Sequence, residues 1–368
     1  MADTGFYYGW ETKVYLAIES TYGTASTTAA EYVQPAFIRS INWNLNENVE
    51  RIYGPGGAYR RAPTTEVKGL KEVTASMEFW MADDLSSATG VEPFLTKFPM
   101  DKYNTAVSGT NPGIWAIPET AGTYPGDSAY GSYSLMPFSL EFGWNKNGTN
   151  STRVRKLTGM YVDSQTFAAA RGEKVIWTWD MVGKNVTTST GFLGTGTQST
   201  EKPLDWSGVQ ITWIGEDGSA TAHTGCTAVE FTINNNMEMV NDLSSTGQDR
   251  EVSAYITGKR EVSGSMTWYK KTTTGQKWAE IVFSATAAQT TPDNTIQLGQ
   301  LDIKIASATA TNYIQYKLYE LVLGELPEEV DFEKATEITL PFTVRYVTAD
   351  IASQNFETEP ASWDSQAS

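Results

Sequence analysis

One cysteine and one histidine occur in 368 residues. With Cys226 alone, an internal disulfide, a thiolate cluster and a zinc knuckle are all excluded. With His223 alone, little remains for a Ser-His or Cys-His nucleophilic centre. Both stand in AHTGCTA with no carboxylate close by, so the expectation is an exposed loop histidine and a small buried cysteine. No apolar run approaches the roughly 18–20 residues that span a bilayer, so no membrane is expected as a partner. The start of the chain shows no signal-peptide pattern, which implies synthesis and folding in a cytoplasm. The N-x-S/T triplets at Asn147, Asn150 and Asn185 then read as turn chemistry. Basic charge is also scarce. The chain has 27 Lys and Arg against 43 Asp and Glu, a net charge of -16, which argues against a surface made to grip nucleic acid. Of that charge, -9 falls in the last 49 residues, with 11 acids and 2 bases. Solubility explains such an excess. A surface that repels phosphate is the sharper reading.

The usual motifs are missing as well. Gly54-Pro55-Gly56-Gly57 lacks the Lys-Ser/Thr of a phosphate loop and the strand-to-helix setting of a dinucleotide fold. ELPEEVDFE at 325–333 lacks the spaced ligands and the glycine of an EF-hand, and reads as a solvated acidic loop. Carboxylates abound, but nothing marks a facing pair in a glycosidase cleft. RVRK at 153–156 and YRR at 59–61 are explained by one exposed strand face and one hairpin tip. The expectation is a protein that is not an enzyme, with no cofactor and no metal.

A repeat is present instead. KGLKEVTASMEFW at 68–80 returns as TGKREVSGSMTWY at 257–269, and INWNLNENVE at 41–50 returns as VEFTINNNME at 229–238. Two blocks in the same order, offset by 189 and 188 residues, mean one structural unit used twice. With 12 Trp, 18 Tyr and 31 Gly the composition leans towards β structure. Each copy reads as a strand, a long turn-rich loop (53–66 and 241–255) and a returning strand, so each carries a long β-hairpin. A short helix is expected after each, at 91–98 and 275–283. Strand pairs follow at 134–144 with 154–162, and at 295–305 with 313–323, and each copy closes with a strand at 174–181 or 337–347. The chain divides into an N-terminal arm (1–32), a first domain (33–186) with an insertion (100–131), a linker (187–207), a second domain (208–350) and an acidic tail (351–368). The hairpins have little to bury at home, so Arg51, Arg60, Arg61, Glu238, Asp242 and Arg250 are candidates for contacts between subunits.

The opening TKVYLAIESTYGTASTTAAEYVQPAF resembles that of one group of tail tube proteins from long-tailed, siphovirus-type phages. The resemblance rests on Glu19, Ser20, Thr21, Tyr22, Gly23 and Thr24 after a short strand, on Pro35 and Phe37, and on the Gly-hydrophobic-Ser pattern of 69–77. It implies a mainly β fold, here as two tandem tail-tube-type β-sandwich/barrel domains, each with a long hairpin and one short α-helix. The implied role is structural: a major tail tube subunit of the virion tail, assembled in the host cytoplasm into stacked rings through which DNA is ejected. Implied partners are the chain itself, the tape measure, tail terminator and distal tail proteins, and double-stranded DNA in transit without specific binding. Most such proteins carry one domain. Two domains per chain imply a trimeric ring with pseudo-sixfold symmetry, against the alternative of six chains with the second domain outside. Two other classes stay open on composition: a carbohydrate-binding or adhesin-type β-sandwich, suggested by the aromatics, and a hydrolase.

Overall fold

Alternating side chains set the strands. In EVTASMEFW, Val73, Ala75, Met77 and Phe79 are buried and the residues between them face the other way. EITLPFTV alternates likewise, with Ile338, Leu340, Phe342 and Val344 inside. A period of two with one buried face is the mark of a strand covered on one side. The protein is seen as a computed structural model. It describes residues 12–19, 21–52, 65–83, 85, 95–96, 98–102, 115–117, 135–144, 154–195, 201–214, 220–222, 225–241, 252–269, 299–307, 313–323 and 337–352.

The chain is mainly β. Its first half runs β1 (Thr12–Ile18), β2 (Phe37–Asn46), β3 (Val49–Ile52), β4 (Thr65–Lys68), β5 (Glu72–Trp80), β6 (Asp101–Lys102), β7 (Trp115–Ile117), β8 (Phe138–Trp144), β9 (Val154–Ala170), β10 (Ile176–Gly183) and β11 (Asn185–Ser189). The second half runs β12 (Val209–Ile214), β13 (Ala220–Ala222), β14 (Cys226–Asn234), β15 (Met237–Val240), β16 (Ala254–Thr257), β17 (Glu261–Tyr269), β18 (Gly299–Ala306), β19 (Tyr313–Leu323), β20 (Glu337–Val344) and β21 (Tyr346–Ala352).

Both halves use the same pairings. The first has an outer sheet β1-β8-β9-β11 and an inner sheet β2-β5-β10-β9. The second has an outer sheet β12-β18-β19-β21 and an inner sheet β14-β17-β20-β19. The correspondence reaches single residues. A bulge between Phe138 and Leu140 returns between Gly299 and Leu301. Left-handed Asn48 (φ 43) returns as Asn236 (φ 46), and Gly159 (φ 63) as Glu320 (φ 49). At each hairpin base the Asn side chain two residues back accepts from the left-handed N–H, Asn46 for Asn48 at 3.1 Å and Asn234 for Asn236 at 3.0 Å. The glycine that opens each returning strand is fixed by this corner. A Cβ at Gly69 would lie 2.8 Å from the Asn48 carbonyl oxygen, and one at Gly258 2.5 Å from that of Asn236.

β9 and β19 cross from the outer to the inner sheet at Gly159 and Glu320. In the first half the bend is held by Glu19, which is buried and accepts from Ser139 Oγ (2.6 Å), Gly159 N (3.0 Å) and Gly23 N (2.7 Å). A Cβ on Gly159 would meet the Tyr22 ring at 2.8 Å. The Glu-Ser-Thr-Tyr-Gly-Thr stretch is therefore the clamp on this crossing.

Several segments lie elsewhere than the sequence suggests. Residues 12–18, expected within an arm, are β1, paired along its length with β8. The 187–207 segment holds the end of β11, then packs on the first half. There Leu193 N and Gly194 N donate to buried Glu141, and Leu204 N donates to Met81 O. The 100–131 insertion contributes β6 and β7, and β7 extends the outer sheet of the second half by pairing with β21. The strand expected at 154–162 continues to Ala170. The helix expected at 275–283 and most of the one at 91–98 lie outside the described residues, as do the hairpin tips.

Candidate functional site

The extension of β9 joins the halves. Ser164–Ala170 pairs with β14 from Asn234 to Ala228 in an unbroken antiparallel register. The two inner sheets thereby become one, β2-β5-β10-β9-β14-β17-β20, with the last two residues of β19 pairing as an eighth strand. Phe167 from the first half stacks on Phe231 from the second at 5.2 Å, and both pack on Tyr316 (5.9 and 5.1 Å). All three are fully buried, so one apolar core runs through the seam.

The other face of this sheet is open. Its rows follow from the register: Asn42, Ser76, Asp180, Ser164, Asn234 and Glu261 in one, and Ser40, Glu78, Thr178, Thr166, Thr232, Ser263 and Thr343 in the next. A third holds Trp80, Ile176, Ala168, Glu230, Ser265 and Pro341. Thr, Ser and Asn dominate, and they bond to one another. Ser164 donates to Asp180 (3.1 Å), Thr166 meets Thr232 (2.8 Å) and Thr267 meets Thr339 (2.8 Å). In those three rows the charged side chains are Glu78, Asp180, Glu230 and Glu261. Arg39, on the bulge beside Ser40, is occupied by Glu78, and Lys259 reaches Glu261 at 3.2 Å. Such a face offers a phosphate chain hydroxyls and carboxylates rather than a row of cations.

The second hairpin leans onto the first half. Met237 N donates to Asp163 Oδ1 at 2.7 Å, and the Tyr255 hydroxyl donates to Gly183 O at 3.1 Å. Tyr255 meets Tyr161 edge-on at 6.2 Å. Burial, then the charges of Glu72 and Asp163, push the Tyr255 hydroxyl up to about 12, so it remains a donor. Asn235, buried beside it, donates from Nδ2 to Val162 O (2.9 Å) and Pro99 O (3.1 Å).

Of the six contact candidates from sequence, Glu238 is exposed on β15 opposite Ile256. Arg51 lies in β3 opposite Glu66, and its side chain is outside the described residues. Arg60, Arg61, Asp242 and Arg250 also lie outside them. The RVRK run is not simply an exposed face: Lys156 pairs with buried Glu141 at 3.1 Å, and Arg155 lies 6.0 Å over the Trp43 ring. Cys226 is half-buried and its Sγ–H donates to Ala228 O at 3.3 Å. Burial pushes the thiol up to about 11, so it is no nucleophile at neutral pH. His223 lies outside the described residues. Sequence reasoning missed the seam itself, because SQTFAAA carries little strand signal.

The model of one protein family, described as phage tail tube protein, matches residues 9–346. No curated protein matches the chain.

Proposed function

This chain belongs to the phage tail tube protein family, a structural component of the virion tail and not an enzyme, and we propose that three copies close into each ring of the tube. The observation that carries this reading is the seam. The second half repeats the pairings of the first and continues its inner sheet, so one chain fills two neighbouring places. Three chains then make six places and a barrel of about 24 strands. At about 4.8 Å per strand its backbone spans about 37 Å before tilt, and strand tilt widens it further. A duplex about 20 Å across passes through once side chains are allowed for. Two chains give about 25 Å, which side chains would largely fill. The open face lines this bore, and its hydroxyls and carboxylates let DNA slide without a cation to hold each phosphate. Head-to-tail contacts that close make the ring, and rings stack along the axis. Tape measure, terminator and distal tail proteins meet the ends of the stack. Among the described residues, exposed Trp43 and Trp206 lie on different elements, an edge strand and a 3-10 turn, and form no platform for a sugar ring.

Electron microscopy of assembled tubes tests the symmetry. The expected layer holds three chains with a pseudo-sixfold bore. Six chains per layer, with the second half away from the bore, would overturn the trimer.

The first hairpin is expected to do between chains what the second does within one. The triple variant Arg51→Glu, Arg60→Glu, Arg61→Glu should fold with an unchanged far-ultraviolet spectrum yet form no tubes. Each exposed ion pair is weak, under about 1 kcal/mol, but the loss recurs at every subunit. Normal tubes from this variant would remove those charges from the assembly surface.

A further inference from the structure

The seam inside the chain shows what the free end of the sheet requires. β2 stands in the first half where β14 stands in the second, and among the described residues β2 pairs only with β5. The inward side chains of β14 are sealed: Val229 is 2% exposed, Phe231 0% and Ile233 0%. Their counterparts on β2 are Ile41, Trp43 and Leu45. Ile41 and Leu45 are half-buried, and Trp43 is 36% exposed. The sequence supplies an aromatic at the matching place, and only the cover differs. On Phe231 that cover is Phe167 of β9. Trp43 has Phe142 at 6.1 Å and Arg155 at 6.0 Å, both from its own half.

The repeat also says which residues provide the missing cover. β9 and β19 correspond at a constant offset of 161, from Thr158 and Tyr319 in the outer sheets to Val162 and Leu323 in the inner ones. Carried past Leu323, the offset puts Leu326 in the place of Gln165, Glu328 in that of Phe167 and Val330 in that of Ala169. Resting on the ring reading above, we infer that β2 of one chain pairs antiparallel with the 325–331 segment of the next chain, in the register of the internal seam. Leu326 then faces Leu45, Glu328 faces Trp43, and Val330 faces Ile41.

The chemistry of the two seams is compensated. Inside the chain the aromatic Phe167 packs on Tyr316. By the same offset Tyr316 corresponds to Arg155. Between chains an aromatic pair is thus replaced by an acid and a base, Glu328 against Arg155, with the Trp43 ring beside both, as Phe231 lies beside Phe167 and Tyr316. Two apolar residues flank the acid, as Gln165 and Ala169 flank Phe167. The ion pair is shielded from water by Trp43, where charge-assisted hydrogen bonds count for more than at an open surface. Pro327 stands at the place of Thr166. In the internal seam Asp163 O takes Asn235 N and Arg171 N reaches Thr227 O, so the odd-numbered residues of β9 bond to β14, and the N–H that Pro327 lacks would point away from β2 of the next chain.

A charge-swap series on full-length chain tests this. Arg155→Glu and Glu328→Arg should each leave a monodisperse folded chain and abolish pelletable tubes. The double variant R155E with E328R should restore them. In assembled wild-type-like tubes carrying a photo-reactive benzoylphenylalanine at position 43, crosslinks should map to residues 323–333 of a different chain. Tubes from either single variant, no recovery in the double variant, or crosslinks to another segment would overturn this seam while leaving the tube reading in place. No assembly from the unmodified chain would overturn both.

Discussion

Phe167→Ala should destabilise the chain by about 3–5 kcal/mol, the range for emptying a buried aromatic site. Phe167 is fully buried, and two aromatic walls from the other half close around it. The cavity cannot collapse easily, because its floor is a β-ladder held in register from Ala228 to Asn234. Position matters as much as size. Phe167 is a main apolar link between the cores, so its loss should also weaken their cooperation. Denaturant unfolding followed by tryptophan fluorescence is the measurement. The first half contains Trp177 and Trp179 in its core, the second Trp213 and Trp268. Wild type should unfold in one transition, and the variant in two that separate with denaturant. Phe167→Leu keeps most of the volume and should cost about 1–2 kcal/mol. A loss below about 1 kcal/mol for Phe167→Ala would mean that the halves are stable independently and merely touch.

Glu141→Gln should cost about 3 kcal/mol, the low end of the range for removing one partner of a buried pair, because the Lys156 side chain keeps 18% of its surface exposed. Glu141 is 1% exposed. One oxygen takes Lys156 Nζ at 3.1 Å, and the other takes the N–H groups of Leu193 and Gly194 at 3.0 and 3.2 Å. The neutral amide leaves the half-buried ammonium without a counter-charge and loosens the segment that leads to the second half. Lys156→Met in the same chain should recover part of the loss, and a double-mutant cycle gives the coupling. The alkaline limb supplies an independent check. Burial by itself would lower the Lys156 pKa, but hydrogen bonds to Tyr32 and Glu141 outweigh it and hold the ammonium above its ordinary 10.5. Its stabilising contribution is therefore complete below 10.5 and is lost as pH rises through the higher folded value. Glu141→Gln should shift the alkaline unfolding midpoint downwards. An unchanged midpoint would show that the pair does not hold the proton.

The sequence shows the duplication where both copies keep the same local chemistry. The Asn corner and the following glycine are dictated by backbone geometry, so Asn48 and Gly69 survive as Asn236 and Gly258. Beyond the insertion the copies keep shape but not residues. Phe138 answers to Gly299 and Trp179 to Leu340, and only the bulge and the left-handed bend reveal the match. β1 was legible as a strand but not as a sheet member, because its partner β8 lies more than a hundred residues away and propensity says nothing about partners. The seam was least legible of all. Ser164 to Ala170 has a weak strand composition, and it is extended because β10 and β14 bond to it from both sides. The edge of β2 was hidden for the opposite reason: Trp43 and Phe231 align in the repeat, and only the structure shows that one is covered and the other is not.

The seam formed by β9 and β14 has an arithmetic consequence. A chain that carries two places adds places only in pairs, so the proposed ring can have four, six or eight but never five or seven. Assembly errors cannot be off by one. A neighbouring size differs by a whole chain, about eight strands, or about a third of a 24-strand circumference. The curvature imposed at each remaining joint then differs too much for a wrong ring to pass as a strained version of the right one. In the proposed ring of three chains, three of the six joints would be made before chains meet, which spares the translational and rotational cost of three separate encounters, several kcal/mol each. Fusing two copies at one strand pair thus turns the size of the bore from a continuous quantity into a counted one.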